Sequence, residues 1–268
     1  MTKGKKFFTY AFLTIVSVIS VFPLYWMLVA ATNKSVDVTR GTMVFGTAFI
    51  DNARKLFASQ NVVTALGNSF RYSVILTLVS LVVCSIAGYG FEIYHDRAKD
   101  RVMSVILLAM MVPFAATMIP LYQLFAKAKL LNSTLGFILP TISTPFLIML
   151  FRQSARSFPV DILEAARLDG LNEFWIFWRM FLPTMRSTYA AAMTITFMNA
   201  WNSYLWPKVI LSDADSITMP MLVANLTEGY VTDYGTLMLA VLVCTVPTVI
   251  IFFLLQRSFA EGITGSVK

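Results

Sequence analysis

Residues Glu164–Pro183 read EAARLDGLNEFWIFWRMFLP, within the interval Arg152 to Ser187 that separates two apolar runs. Just upstream, Pro159 suits the first turn of a helix, where its missing N–H would have had no partner, and Ser157 offers a side-chain cap. Asp161 and Glu164 put negative charge near the positive end of that helix dipole. Gly170 fits the left-handed stop of the helix, a conformation closed to most residues by their Cβ. Asn172 then caps a second short helix in which Phe174, Phe177, Trp178 and Phe181 recur at i, i+3, i+4 and i+7, with Pro183 beyond it. The segment reads as helix, glycine, helix, with an aromatic stripe on the second half. Such a stripe serves either interfacial packing beside a membrane or contact with a partner, and an acidic residue in a first turn is often only a dipole partner.

Outward from this segment the chain is apolar. Of its 268 residues 57% are hydrophobic and 13% charged, and the mean hydropathy is +0.72. An ordinary soluble domain carries about 25% charged residues, so a soluble globular fold is excluded. A bilayer core about 30 Å thick needs roughly 20 apolar residues in a helix, and that criterion selects six stretches. They are residues 7–31, 72–92, 102–125, 135–151, 188–206 and 235–255. No polar block is long enough for a separate soluble domain, so residues 1–268 read as one all-α integral membrane domain of six transmembrane helices. The first stretch follows Lys3, Lys5 and Lys6 as a signal peptide would, but it is too long and lacks a small-residue cleavage site.

The basic residues orient the spans. With the N-terminus inside, thirteen of the 21 Lys and Arg residues fall on the inner side, in segments that include Arg97, Arg101, Arg152, Arg156, Arg167, Arg179, Arg257 and Lys268. Both termini are therefore expected in the cytoplasm, and residues 152–187 form the longest inner segment. Prolines 23, 113, 120, 140, 145 and 247 lie within the spans, where each removes a helical hydrogen bond and favours a kink. That suits a bundle around a pathway, and it also suits any packed membrane bundle. No ionisable residue stands near a span centre; Glu92 sits at an inner end, so a proton relay or ion-coupled pump finds no support.

The remaining chemistry is sparse. Cys84 and Cys244 lie in apolar runs and read as small buried hydrophobes; His95 sits in a charged turn without a ligand-spaced Cys or Glu, so no metal site is expected. The net charge of +7 comes without a basic stripe interleaved with aromatics, which argues topology and not nucleic acid. There is no G-x-x-x-x-G-K-[ST] phosphate loop, H-E-x-x-H or G-x-S-x-G, so the chain is not expected to be an enzyme.

The string Glu164–Pro183 resembles the cytoplasmic EAA loop in the membrane subunits of binding-protein-dependent ABC importers. That pattern is E-A-A, three residues, G, nine residues, I, one residue, L-P. Glu164, Ala165, Ala166, Gly170, Leu182 and Pro183 fall at its positions, and Met180 stands in place of the isoleucine, a substitution conservative in volume and polarity. The likeness extends to Asn68-Ser69, the Pro113 to Pro120 region with Leu121-Tyr122, Trp201-Asn202, and the tail Gln256-Arg257-Ser258-Phe259 ending GITGSVK, which look like the carbohydrate-uptake branch. The six-span form with an inside N-terminus is similar to the smaller permease of maltose-type systems. One departure is GYGFEIYHDRAKDR after the second span, which carries Glu92 and His95 where the family has a basic residue.

The resemblance implies a permease of an ATP-driven importer of di- or oligosaccharide in the bacterial plasma membrane. Its partners would be a second homologous permease, two ATPase subunits carrying ATP and Mg, and an extracellular or periplasmic solute-binding protein; this chain itself would bind no cofactor. The six matching residues would dock the ATPase: Glu164 by charge, Ala165 and Ala166 by close packing, Gly170 by the bend. Trp201, Asn202, Ser203 and Tyr204 offer aromatic, amide and hydroxyl groups suited to a sugar, or alternatively an interfacial belt. The rival class, an ion-coupled secondary transporter or channel, would need intramembrane charges or an internal repeat of interrupted spans, and neither is evident.

Overall fold

The computed structural model describes residues 3–265, with side chains described for residues 4–256. Lys268, the end of the GITGSVK tail and the side chains of Arg257, Ser258 and Phe259 lie outside what is described. Among the described residues every regular element is helical. The principal helices are α1 (Lys3–Ala31), α2 (Phe49–Ser59), α3 (Val62–Ile93), α4 (Arg97–Ala109), α5 (Phe114–Lys127), α6 (Pro145–Ala155), α7 (Val160–Leu168), α8 (Arg186–Trp201) and α9 (Tyr234–Gly265).

Three helical stretches are long and apolar enough to cross a bilayer unaided: Gly4–Ala31, Val62–Ile93 and Tyr234–Gln256. They contain the first, second and sixth expected spans, and α1 and α9 run on through Pro23 and Pro247. The third expected span is not one helix. α4 and α5 meet at 98° across residues 110–113, where Pro113 is extended at ψ 131° and, as a proline, disfavours helix at the residue before it. The fourth is also broken, at 55° between Thr134–Thr141 and α6, where Thr144 caps the new helix with Pro145 in its first turn. If each bent pair is one crossing, the count rises to five. The fifth expected span corresponds to α8, whose 16 residues reach only about 24 Å. The chain leaves helix at Asn202 and resumes in a short helix, Leu205–Ile210.

The contacts divide the described chain into two units, residues 3–63 with 219–247 and residues 64–218 with 248–265. In the first, Asn52 is buried and its Nδ2 donates to the Ala31 and Asn33 carbonyls at 3.0 and 2.9 Å. Gly235 sits where a Cβ would lie 2.5 Å from the Asn33 carbonyl, so only glycine admits that approach. Lys55 and Asp233 pair at 2.8 Å.

The second unit holds both regions singled out by sequence. One core packs Leu81 and Cys84 of α3 on Leu147, Ile148 and Phe151 of α6, with Met103 and Ala192. Gly88 makes that crossing possible: a Cβ there would meet the Phe151 Cβ at 2.6 Å and the Arg152 nitrogen at 2.7 Å. A second core joins Tyr89 to Phe158, Leu163, Ala166, Ile176, Phe177, Phe181 and Met185.

Candidate functional site

α7 starts at Val160; Pro159 stands just before it in the cap position with extended ψ 123°, not in the first turn, and the Ser157 hydroxyl donates back to the Ser154 carbonyl at 2.7 Å. The expected serine cap is therefore not made. At the other end Gly170 has φ +80°, its N–H donates to the Arg167 carbonyl at 3.1 Å, and the Leu171 N–H donates to the Ala166 carbonyl at 3.0 Å. These paired bonds satisfy the last carbonyls of α7 and turn the chain sharply. Asn172 then accepts from the Trp175 N–H at 3.0 Å, the cap expected from sequence.

Beyond Asn172 the expected short helix is longer and differently wound. An α-turn over Glu173–Ile176 passes into a π-turn over Phe177–Phe181, and Leu182–Thr184 follows directly. Pro183 thus lies inside a nearly continuous helical path into α8, not beyond a stop. The Leu182 N–H reaches back five residues to the Phe177 carbonyl, and this widened turn makes room for the proline ring and its missing donor. The aromatic stripe is split by the change of winding. Phe177 and Phe181 enter the core with rings stacked 5.5 Å apart, whereas Phe174 and Trp178 stay at the surface.

α7 has two contrasting faces. Leu163 and Ala166 are buried, while Glu164, Ala165 and Leu168 are exposed, Leu168 by 89%. The Glu164 carboxylate makes no hydrogen bond or ion pair among the described residues. Leu182 is half-buried and Pro183 exposed.

A polar latch fixes the segment. Arg167 Nε donates to Glu173 Oε1 at 2.8 Å across the glycine turn, and the Tyr89 hydroxyl donates to Glu173 Oε2 at 3.0 Å. The Arg167 guanidinium also lies 6.0 Å from the centre of the Tyr94 ring. Partial burial of Glu173 opposes its ionisation, but hydrogen bonds from Arg167, Tyr94 and Tyr89 outweigh it and hold the carboxyl below the ordinary glutamate range. The bond to Glu173 correspondingly raises Arg167. Sequence patterning had no access to this latch, because Tyr89 lies 84 residues from Glu173.

A second ionic cluster was equally hidden. Arg152 is 5% exposed; its Nε meets Glu92 at 3.1 Å and its Nη2 meets Asp100 at 2.6 Å. Arg156 reaches Glu92 at 3.4 Å, and His95 Nε2 lies 2.9 Å from Asp100. The Glu92 and His95 positions that depart from the family pattern are thus both engaged, joining the ends of α3 and α6 to the start of α4.

The same unit contains a cavity of about 690 Å³ beside the end of α8. Phe114, Phe137, Phe146 and Trp206 supply aromatic walls, and Thr141, Thr144, Thr196, Asn199 and Ser203 supply polar ones. Asn202 and Tyr204, singled out from sequence, line it; Trp201 does not. Trp201 is 1% exposed, its ring stacked on Phe197 at 5.8 Å. The indole in the wall is Trp206, five residues on, held by its Nε1 donating to the Gly136 carbonyl at 3.0 Å and by edge contacts with Phe114 and Phe125. The break in helix after Trp201 decides which of the two indoles faces the cavity.

Comparison with known proteins gives a consistent picture. The family model for the binding-protein-dependent transport system inner membrane component matches residues 85–265. A lactose transport system permease protein of Rhizobium radiobacter is 43% identical over 97% of this chain and 95% of its own length. An arabinooligosaccharides transport system permease protein of Halalkalibacterium halodurans is 34% identical over 94% and 93%. An sn-glycerol-3-phosphate transport system permease protein of Yersinia pestis is 30% identical over 99% and 98%. The fold is that of a chain in the crystal structure of a bacterial ABC transporter involved in the import of the acidic polysaccharide alginate, with TM-score 0.84 at 19% identity over 97% of this chain and 99% of that one. The chain belongs to the family of binding-protein-dependent transport system inner membrane components.

Proposed function

We propose that this chain is the permease subunit of an ATP-driven importer of di- or oligosaccharide and forms half of a translocation pathway by alternating access. Its relatives include permeases named for lactose and arabinooligosaccharide transport, at 43% and 34% identity over almost the whole chain, which supports the carbohydrate class. In this reading α1, α3, the α4–α5 pair, the Thr134–Ala155 pair, α8 and the apolar part of α9 make six crossings of the bacterial plasma membrane, with both termini cytoplasmic. The assembly adds a second homologous permease, two ATPase subunits that bind ATP and Mg, and an extracellular or periplasmic solute-binding protein. This chain binds no cofactor of its own.

The observation that carries the proposal is the surface of α7. An acidic residue without an internal partner, Glu164, stands beside exposed Ala165 and Leu168 on a helix whose other face is locked into the core. Small and apolar groups around one charge suit a groove on a protein partner better than water does. Glu164 meets a cation of the ATPase, Ala165 allows close approach, and Ala166, Leu182 and Pro183 seat the helix from behind. Gly170 sets the angle between the two halves. Closure of the ATPases then displaces α7, and the Glu173–Tyr89 bond with the Phe177 and Phe181 packing passes that displacement to α3. On the membrane side, Asn202 and Tyr204 belong to the substrate path, and Trp201, buried against Phe197, holds the end of α8 that leads into them.

Vesicles containing the reconstituted complex test this reading. Wild-type complex takes up sugar only with ATP and binding protein, and Glu164→Lys reduces uptake at least tenfold while this chain still inserts; ATP-independent uptake by the chain alone contradicts it.

A further inference from the structure

We infer that the cavity beside the end of α8 is a binding site for a neutral carbohydrate, with Thr196, Asn199, Ser203 and Tyr204 as its hydrogen-bonding groups. This rests on the importer reading and narrows it: the ligand carries no ionised group, and this subunit contacts it directly.

The first support is hydrogen-bonding capacity in the cavity wall that the chain itself does not use. Thr196 is 6% exposed and its hydroxyl has no hydrogen-bond partner, although a helical threonine ordinarily satisfies itself on the carbonyl four residues back. The side chains of Asn199, Ser203 and Tyr204 make no hydrogen bond within the described residues. Thr196 and Asn199, spaced i and i+3, share one face near the end of α8, and Ser203 follows just past the helix; all three line the same cavity. Lipid cannot satisfy these groups, and an unpaired amide in a hydrocarbon setting is costly. Water or a ligand rich in hydroxyls can.

The second support is what the walls lack. Among the described residues no Lys, Arg, His, Asp or Glu lines the cavity. A phosphate ester or a uronate buried here would have no cation to compensate its charge, so anionic substrates are disfavoured. The lining also includes Phe114, Phe146 and Trp206, apolar faces that suit the C–H surfaces of a sugar ring while amides and hydroxyls meet its rim. A volume of about 690 Å³ falls within the roughly 300–1,000 Å³ of small-molecule sites.

The test uses the full complex in vesicles, with ATP supplied to the ATPase, and follows uptake of lactose, arabinotriose and digalacturonate. Wild type is expected to take up a neutral sugar in preference to digalacturonate. Asn199→Ala and Tyr204→Phe each raise the KM for that sugar roughly tenfold, as loss of one hydrogen bond to a buried ligand does, with the second permease still co-purifying. Thr196→Val raises KM similarly without lowering the yield of complex, which a structural role for the hydroxyl would not allow. Unchanged concentration dependence in all three variants overturns the site, as does preferred uptake of digalacturonate. Loss of the second permease from the variants also overturns it, by making the cavity a seat between subunits. If wild type takes up none of the three sugars with ATP, the carbohydrate importer reading itself fails.

Discussion

Glu164 and Glu173 lie nine residues apart and have opposite circumstances: the first is exposed without a partner among the described residues, the second is held by Arg167, Tyr89 and Tyr94. A change at Glu164 should therefore leave the chain's own stability within about 0.5 kcal/mol, as for most surface positions, and act on partner binding. Glu164→Lys is expected to yield folded, membrane-inserted chain that no longer retains an ATPase subunit on purification. Glu173 should respond to pH. Its carboxyl is held below the ordinary range, so the latch contributes fully above the unfolded glutamate value of about 4.3 and is lost as pH falls through the lower folded value. Hydrogen exchange in Gly170–Phe177 is expected to stay slow from neutral pH to that range and to quicken below it, and Glu173→Gln should weaken protection at neutral pH. Arg152 is a third case. Buried between two carboxylates, it leaves both without their cation when replaced, so Arg152→Met should destabilise the protein by on the order of 3 kcal/mol, seen as a lower melting temperature in detergent.

At the scale of elements, the legible features were those governed by near neighbours. Asn172 capping Trp175 and Gly170 in the left-handed region follow from residues within a turn of each other, and both appear as the sequence implies. The π-turn does not, because it comes from fitting Pro183 into a helix that tertiary packing of Phe177 and Phe181 keeps going. The third span failed as a single helix for a related reason: hydropathy counts apolar residues and is blind to the 98° turn at Pro113. In the cavity, Asn202 and Tyr204 could be found by residue type, but the choice of Trp206 over Trp201 depends on where α8 ends. The Arg152–Glu92, Arg152–Asp100 and Tyr89–Glu173 bonds each span more than fifty residues and left no local trace. Gly170 supplies the test at this scale. Alanine at φ +80° should cost about 1–2 kcal/mol in the turn, and Gly170→Pro also removes the N–H bonded to Arg167. Uptake should fall modestly for Gly170→Ala and steeply for Gly170→Pro; equal uptake in both would contradict a role for the turn.

An exposed, internally latched helix and a cavity with unmet hydrogen-bonding capacity lie within one compact unit of the molecule. The link between them is α3 and α8, which share packing with α7 and the aromatic turn through Tyr89 and Tyr189 and with the cavity through Leu76 and Thr196. Movement of α7 against an ATPase would thus be felt where the substrate sits. The central claim is that this chain is driven by a separate ATPase docked on Glu164–Pro183. Its most direct test is to purify the tagged chain from gently solubilised membranes, identify what accompanies it and measure ATP hydrolysis. A second permease and an ATPase whose hydrolysis is stimulated by binding protein are expected, both activity and ATPase being lost with Glu164→Lys and Gly170→Pro. Recovery of the chain without an ATPase, or retention of ATPase and activity in both variants, would contradict it.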